Sequence, residues 1–242
     1  MMILDIDVGN SYAKWRLQDA GVVISRGSQQ TQSILEQQKL DLSLNSGLDQ
    51  VRLSLVARNE IGEILRRQFQ LDYGVSTATA EVSRVVAAVT CGYEDPRSLG
   101  IDRWLAIVAA YTKFKQSLVV VDAGSATTID VVNSDGHHQG GYILPGIELM
   151  RTSLWRGTES VKADSTEAVS LRPAACTEDA VNRGSMLALT AVIEQTVNRF
   201  SGRLVLTGGC ASSIEKLITV PADYIPELVI DGLGVNGVSY SQ

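Results

Sequence analysis

Cysteine is scarce in this chain and poorly spaced for structural work. The 242 residues include three, Cys91, Cys176 and Cys210, with no C-x-x-C pair. A scattered, odd-numbered set supports neither a disulfide framework nor a zinc site, and it fits reduced thiols in a cytoplasmic protein. Histidine is scarcer still, only His137 and His138. Neighbours on a strand point to opposite faces, so the two cannot serve one site and read as surface turn residues. Basic clusters are missing as well. Lys plus Arg total 21 against 27 Asp plus Glu, a formal charge of −6, and the densest basic spot is "LRRQF" at 65–69. That spot reads as a solvated helix face. Phosphate backbones need clustered Lys and Arg, so nucleic acid is excluded as a partner. No apolar run approaches the ~18 residues that cross a membrane. The first residues carry acids where a signal peptide carries Lys or Arg. Neither a G-x-x-x-x-G-K-[ST] loop nor a protein-kinase H-R-D loop occurs, which excludes those two ways of holding ATP.

What is present suits a folded protein with small ligands. Hydrophobic residues make up 45% and charged residues 20%, enough core for one large domain or two small ones. Residues 2–7 read as a buried strand. Strands follow at 12–18 and 22–28, joined by the turn "DAG" at 19–21. A helix is expected from 31, a strand at 51–57 and a helix at 59–70. "SRVVAAVTC" and the loop "GYEDPRSLG" then lead to a long apolar helix at 101–114. After that the pattern restarts. Residues 117–146 repeat strand, small-residue turn, strand, Gly turn, strand. Helices are expected at 147–157 and 178–200, a strand running into a Gly turn at 203–209, and a short helix at 211–218. Asp122 and Gly124 lie 115 residues after Asp7 and Gly9. The same offset places Ala126 on Ser11 and Gly136 on Gly21. An internal duplication follows, with two similar halves whose first turns converge on a cleft.

Each D-x-G turn sets an acid at a strand end beside a glycine that lets backbone N–H groups approach an anion. Asn10 and Ser11 can donate to phosphate oxygens, and Lys14 can neutralise charge. Asp7 would repel a phosphate unless a metal lies between, which makes it a ligand of Mg²⁺ or of a Mg²⁺-bound water. Asp122, Gly124, Ser125 and Thr127 follow the same logic in the second turn. "TGG" at 207–209 is either a helix-entry turn or a surface against which a nucleoside lies. "GGYILPG" (140–146) carries the same two readings: a surface for a ligand, or paired glycines that only relieve crowding in a strand, with Pro145–Gly146 a turn before the next helix. Asp102 and Arg103 open an otherwise apolar helix. Two readings stand for them: a helix cap, or a general base beside an anion clamp whose fork matches a carboxylate.

Taken together, "DVGNS" (7–11), "GYEDPRSLGIDRW" (92–104), "DAGSATTID" (122–130), "GGYILPG" (140–146) and "TGG" (207–209) resemble type III pantothenate kinase. That family belongs to the superfamily of acetate kinase, sugar kinases, heat-shock chaperones and actin. The G-x-D-R-W run after Tyr-x-x-Pro is the specific part. The resemblance implies an α/β fold of two duplicated actin-like ATPase (ribonuclease H-like) domains, each a mixed five-stranded sheet with flanking helices, with a cleft between them. The halves are expected at 1–115, with the first phosphate loop and the substrate segment, and 116–242, with the second phosphate loop and the adenosine turn. The implied reaction is ATP-dependent phosphorylation of pantothenate to 4'-phosphopantothenate, the first step of coenzyme A biosynthesis.

The resemblance also assigns residues. Asp7, Val8, Gly9, Asn10, Ser11, Tyr12, Ala13 and Lys14 would bind ATP phosphates, with Ser125 a further ATP contact. Tyr93, Gly100, Ile101, Asp102 and Arg103 would line the pantothenate site, and Thr177 would touch substrate. Asp102 would be the proton acceptor. Asp122 would be associated with a monovalent cation, K⁺ or NH₄⁺, while Mg²⁺ accompanies ATP and meets Asp7 directly or through water. A cytoplasmic homodimer is implied. Ser11 and Ser125 stand where many members have Thr, which keeps the hydroxyl and loses the methyl. A non-enzymatic relative similar to Bvg accessory factors and a sugar or acetate kinase are the competing readings. The retained Asp7, Asp102, Arg103 and Asp122 argue against the first. Motifs for another substrate, which the second needs, are missing.

Overall fold

In the computed structural model, which describes residues 1–42, 44, 47–56, 59–157 and 170–241, the first unit grows from β1 (Met2–Val8). This strand alternates: Leu4, Ile6 and Val8 are fully buried in one apolar core, while Ile3, Asp5 and Asp7 point to the opposite face. β2 (Tyr12–Asp19) and β3 (Val22–Gln30) continue antiparallel. The turn between them is Ala20–Gly21, both at positive φ, as the "DAG" signal led one to expect. Gly27 faces Trp15 across the ladder, and a Cβ there would lie 2.3 Å from the indole, so the ring lies over the glycine. α1 (Thr31–Gln37), β4 (Gln50–Leu55), α2 (Asn59–Tyr73) and β5 (Thr77–Glu81) follow. A hairpin of β6 (Val85–Val86) and β7 (Val89–Thr90) and a 3-10 turn (Pro96–Ser98) then lead into α3 (Ile101–Phe114).

The second unit repeats the plan. It contains β8 (Leu118–Ala123), β9 (Ala126–Val132), β10 (His138–Pro145), α4 (Ile147–Gly157), α5 (Thr177–Phe200), β11 (Arg203–Thr207), α6 (Ala211–Glu215) and β12 (Ala222–Tyr224). Its sheet runs β10-β9-β8-β11-β12, and the first runs β3-β2-β1-β4-β5 in the same sense. In both, the first three strands are antiparallel and the last two lie parallel to the first. The duplication is therefore real, but the constant offset is not. In the first hairpin Val8 pairs with Ala13, and in the second Ala123 pairs with Thr127. The second turn is one residue shorter, so Ala126 corresponds to Tyr12 rather than to Ser11.

The chain ends with α7 (Leu228–Leu233) and β13 (Ser239–Ser241). β13 pairs antiparallel with β5, so the first sheet has six strands where five were expected, among the described residues. Contacts accordingly group Leu228–Gln242 with Met1–Thr112, leaving Lys113–Glu227 as the second unit, whereas the sequence pattern placed all of 116–242 together. The reason is electrostatic. Asp5 is fully buried, with Arg16 opposite it on β2 and Arg52 on β4. Arg52 grips the carboxylate with two bonds, Nε–Oδ1 at 2.6 Å and Nη2–Oδ2 at 2.9 Å, and Gln18 donates a third at 2.8 Å. Arg16 reaches across to Asp231 of α7 at 2.5 Å. Gly232 lets α7 sit against α3, since a Cβ there would lie 2.4 Å from the Leu105 carbonyl oxygen.

The histidines separate. His137 is exposed, but His138 is fully buried and its Nε2 lies 2.9 Å from Oδ1 of buried Asp130. The surface reading fails for His138 because its strand places it inside, where a carboxylate on the neighbouring strand answers it.

Tyr240 closes the same network. Its hydroxyl donates to the Leu233 carbonyl. Burial pushes its pKa up from 10.0 to about 12, with Asp5 adding to the rise and Arg52 opposing it. A folded pKa above the unfolded one means the contribution is complete below pH 10 and is lost as pH rises towards 12. Spectroscopic titration should show one phenol ionising late, and Tyr240→Phe should remove that phenol and flatten the fall in stability between those pH values. An unchanged titration curve in the variant would refute the assignment.

Candidate active site

Asp7 ends β1 opposite Lys14 on β2 and Ser54 on β4. It is half-buried and Lys14 is exposed. The turn between them is tight: the Gly9 N–H donates to the Tyr12 carbonyl at 3.0 Å. The start of α1 holds the turn from behind. The Thr31 N–H donates to the Ser11 carbonyl at 3.0 Å, and Thr31 Oγ1 donates to the Asn10 carbonyl at 2.8 Å. With those carbonyls occupied by α1, the side chains of Asn10, Ser11 and Tyr12 stay exposed. Val8 and Ala13 are fully buried, so their side chains serve the core and only their main chain can reach a ligand. Thr31 escaped the sequence reading, because nothing local marks a first-turn threonine as the support of a loop 20 residues away.

In the second unit, three glycine turns meet. Asp122 is half-buried, Ser125 exposed, and the Gly124 N–H donates to the Ala126 carbonyl at 3.1 Å. Gly208, at φ +94°, presses against this turn, and a Cβ on it would lie 2.4 Å from Asp122 Oδ1. The Cys210 N–H then donates to the Ala123 carbonyl at 3.0 Å. Gly146 packs from another side, where a Cβ would lie 2.4 Å from the Gly124 carbonyl oxygen, and its N–H donates to the Ser125 carbonyl at 3.2 Å. "TGG" and the end of "GGYILPG" thus form one structure around Asp122. Gly140, at φ +100°, marks a break in the β9–β10 register. Thr127 departs from expectation: it is 1% exposed and sits on the core side of β9, so its hydroxyl does not reach the loop surface.

The segment expected to line the substrate site is held in part by its own side chains. Asp95 caps the 3-10 turn by accepting the Arg97 N–H at 3.1 Å and pairs with the Arg97 guanidinium. α3 begins at Ile101, and the Trp104 N–H donates to the Gly100 carbonyl. Asp102 is half-buried, and its Oδ1 accepts the Arg103 N–H at 2.8 Å. Arg103 is 5% exposed; Nη1 donates to the Tyr93 hydroxyl at 3.0 Å, and the guanidinium carbon lies 5.7 Å from the ring centre. Tyr93, Gly100, Ile101, Asp102 and Arg103 therefore share one corner of the first unit. Ile101 is buried there and faces the core. Thr177 lies in the second unit, exposed at the first residue of α5. Among the described residues no group of three or more His, Cys, Asp or Glu could hold a metal. No helix among those residues is long and apolar enough to cross a membrane.

Residues 3–199 match the family model of type III pantothenate kinase. The chain is 36% identical to the type III pantothenate kinase of Pseudomonas paraeruginosa, with 97% of this chain and 98% of the relative covered. It is 35% identical to that of Chromohalobacter salexigens, with 96% and 86% covered. Among solved structures it is similar to a Campylobacter jejuni protein assigned to the Baf family of transcriptional activators (TM-score 0.59, 23% identity, 97% and 96% covered). It is also similar to component A of (R)-2-hydroxyglutaryl-CoA dehydratase from Acidaminococcus fermentans (TM-score 0.52, 14% identity, 97% and 96% covered). These last two likenesses are of fold alone, a mixed α/β fold with one sheet of six strands and one of five among the described residues.

Gly100 makes room for the Asp102 carboxylate, because a Cβ on it would lie 2.6 Å from Oδ1. Gly100→Ala should rotate that carboxylate off the Arg103 N–H and leave the rest of α3 in place, since the added methyl meets no backbone. A crystal structure of the variant with Asp102 in its original rotamer would overturn this.

Proposed function

We infer the working of these loops from one premise: the chain belongs to the type III pantothenate kinase family. It is a pantothenate kinase, and it phosphorylates pantothenate with ATP in coenzyme A biosynthesis. The observation that carries the division of labour is the corner at the start of α3, where Arg103 is fixed by Tyr93 and Asp102 by the Arg103 main chain.

Arg103 takes the pantothenate carboxylate. Its planar fork suits a carboxylate, and the phenol beside it sets the fork's direction before substrate arrives. Asp102 accepts the proton of the attacking primary hydroxyl. Phosphoryl transfer through a loose transition state asks mainly for positioning, so a carboxylate held in direction by an N–H suffices as the acceptor. Tyr93 and the main chain at Gly100 and Ile101 shape the remainder of the acceptor site, and Thr177 adds a hydroxyl toward substrate.

Asn10, Ser11, Lys14 and the main-chain amides of the turn other than that of Gly9, which is bonded to Tyr12, bind the ATP phosphates, and Ser125 contributes a second hydroxyl. Their exposure and the anchoring by Thr31 support this role. Asp7 fits a Mg²⁺ site, because one or two carboxylates beside phosphate donors are the usual protein share of such a site. When bound, that ion would neutralise charge on the transferring phosphoryl group. Asp122, wedged against Gly208, offers oxygen to K⁺ or NH₄⁺. A homodimer is supported by exposed apolar side chains in the second unit: Ile143 on β10, Leu149 and Leu154 on α4, and Leu187 on α5. We take a second copy of this chain as their cover. The scattered cysteines, with Cys91 buried and no disulfide among the described residues, support a reducing cytoplasm.

ADP release should depend on pantothenate when Mg²⁺ and K⁺ or NH₄⁺ are supplied, and sugars or acetate should not replace it. Asp102→Asn should fold and bind ATP but lose turnover by about 100-fold or more. Normal turnover in that variant would sink the base assignment.

A further inference from the structure

Arg84 is an exposed residue just before β6, in a stretch where the sequence shows no chemistry. Its guanidinium is nevertheless spent on main chain. Nη1 donates to the carbonyls of Cys91 at 3.2 Å and Tyr93 at 2.6 Å, and Nη2 donates to the Glu94 carbonyl at 2.5 Å. Its own carbonyl accepts the Cys91 N–H at 2.9 Å, which closes the neck of the β6–β7 hairpin. The hairpin turns through Ala87 and Ala88, with φ of 48° and 67°. Alanine adopts that left-handed backbone only at a cost, so the turn is held by what surrounds it.

These contacts reach the site. Tyr93 has its carbonyl on Arg84 and its hydroxyl on Arg103. Fixing the main chain on both sides of Tyr93 fixes where its phenol stands, and the phenol in turn directs the buried guanidinium of Arg103. At the far end of the segment, Asp95 and Arg97 close the 3-10 turn by themselves. Arg84 ties the segment's beginning to the hairpin. We propose that Arg84 is a positioning residue for the pantothenate site, setting Tyr93 and through it Arg103 while touching no substrate itself. This rests on the acceptor-site reading above. The three carbonyls are met by two nitrogens of one planar fork; a lysine has three donors but only a single nitrogen, so lysine should replace it in part and alanine not at all.

The test compares wild type, Arg84→Ala and Arg84→Lys in the full chain. Expected in Arg84→Ala is a pantothenate KM raised roughly tenfold to a hundredfold, the range in which misplacement of a positioning group acts. KM for ATP and the thermal midpoint should stay near wild type, and Arg84→Lys should fall between. Millimolar guanidinium should restore part of the lost affinity in Arg84→Ala and do nothing to wild type. Amide hydrogen exchange over residues 91–99, measured without substrate, should quicken in Arg84→Ala. An unchanged pantothenate KM, or unchanged exchange over that segment, overturns the proposal. Equal losses for both substrates with a lowered midpoint also overturn it, because they mark a purely structural role. Should wild type fail to phosphorylate pantothenate, the acceptor-site reading falls, and the exchange measurement still decides whether Arg84 orders the segment.

Discussion

A carboxylate sealed inside a sheet has to be answered by cations, and the first unit is organised around that demand. Asp5 lies in the middle of β1 with no exposure, and its two cross-strand neighbours are arginines. Removing one partner from such a group typically costs about 3–5 kcal/mol, because the remaining charge stays buried and uncompensated. The arrangement therefore locks the register of β2 and β4 against β1. It also recruits the end of the chain, since Arg16 is shared with Asp231 of α7. Asp7, two residues along the same face, inherits this rigidity. The loop proposed to bind phosphate starts from a strand that cannot slip.

The second unit uses the same strand order but a different means of fixing its loop. There the position equivalent to Asp5 is apolar Val120, and the strand ends in close packing of backbone on backbone. Gly208 and Gly146 touch the Asp122 turn at distances that any side chain would violate. One half is pinned by charge and the other by the missing Cβ atoms of two glycines. The turns have diverged too. The first keeps Asn10, Ser11 and a nearby lysine, and the shorter second keeps only Ser125 as an exposed hydroxyl. This asymmetry fits the separate roles proposed for the two carboxylates, Asp7 toward Mg²⁺ and Asp122 toward a monovalent cation.

The acceptor corner shows why Asp102 and Arg103 did not have to be either cap or catalyst. Oδ1 of Asp102 does accept a first-turn N–H, and that contact gives the carboxylate its direction. Arg103, unfavourable in charge at a helix start, is buried against Tyr93 instead. The stabilising contact and the chemical role proposed for the pair would be carried by the same atoms.

Much of this was legible along the chain. Apolar periodicity located α3 with its observed ends and α4 with its observed start, and turn chemistry located the β2–β3 hairpin. The two D-x-G turns announced the duplication, and the motifs around them identified the family. Local sequence carries that information because strand alternation, helix period and turn φ angles are set by residues within a few positions of each other. What the chain by itself left open was partnership at a distance. Arg52 meets Asp5 across 47 residues, Arg16 meets Asp231 across 215, and β13 returns to β5 from the far end of the sequence. His138 looked like a surface residue until Asp130 lay beside it, and Arg84 looked idle until three carbonyls converged on it. The register offset misled for the same reason, since hydrogen-bond pairing, not spacing, decides which residues correspond. Side chains reveal their partners only once the strands are paired, because burial and direction are properties of the assembled sheet.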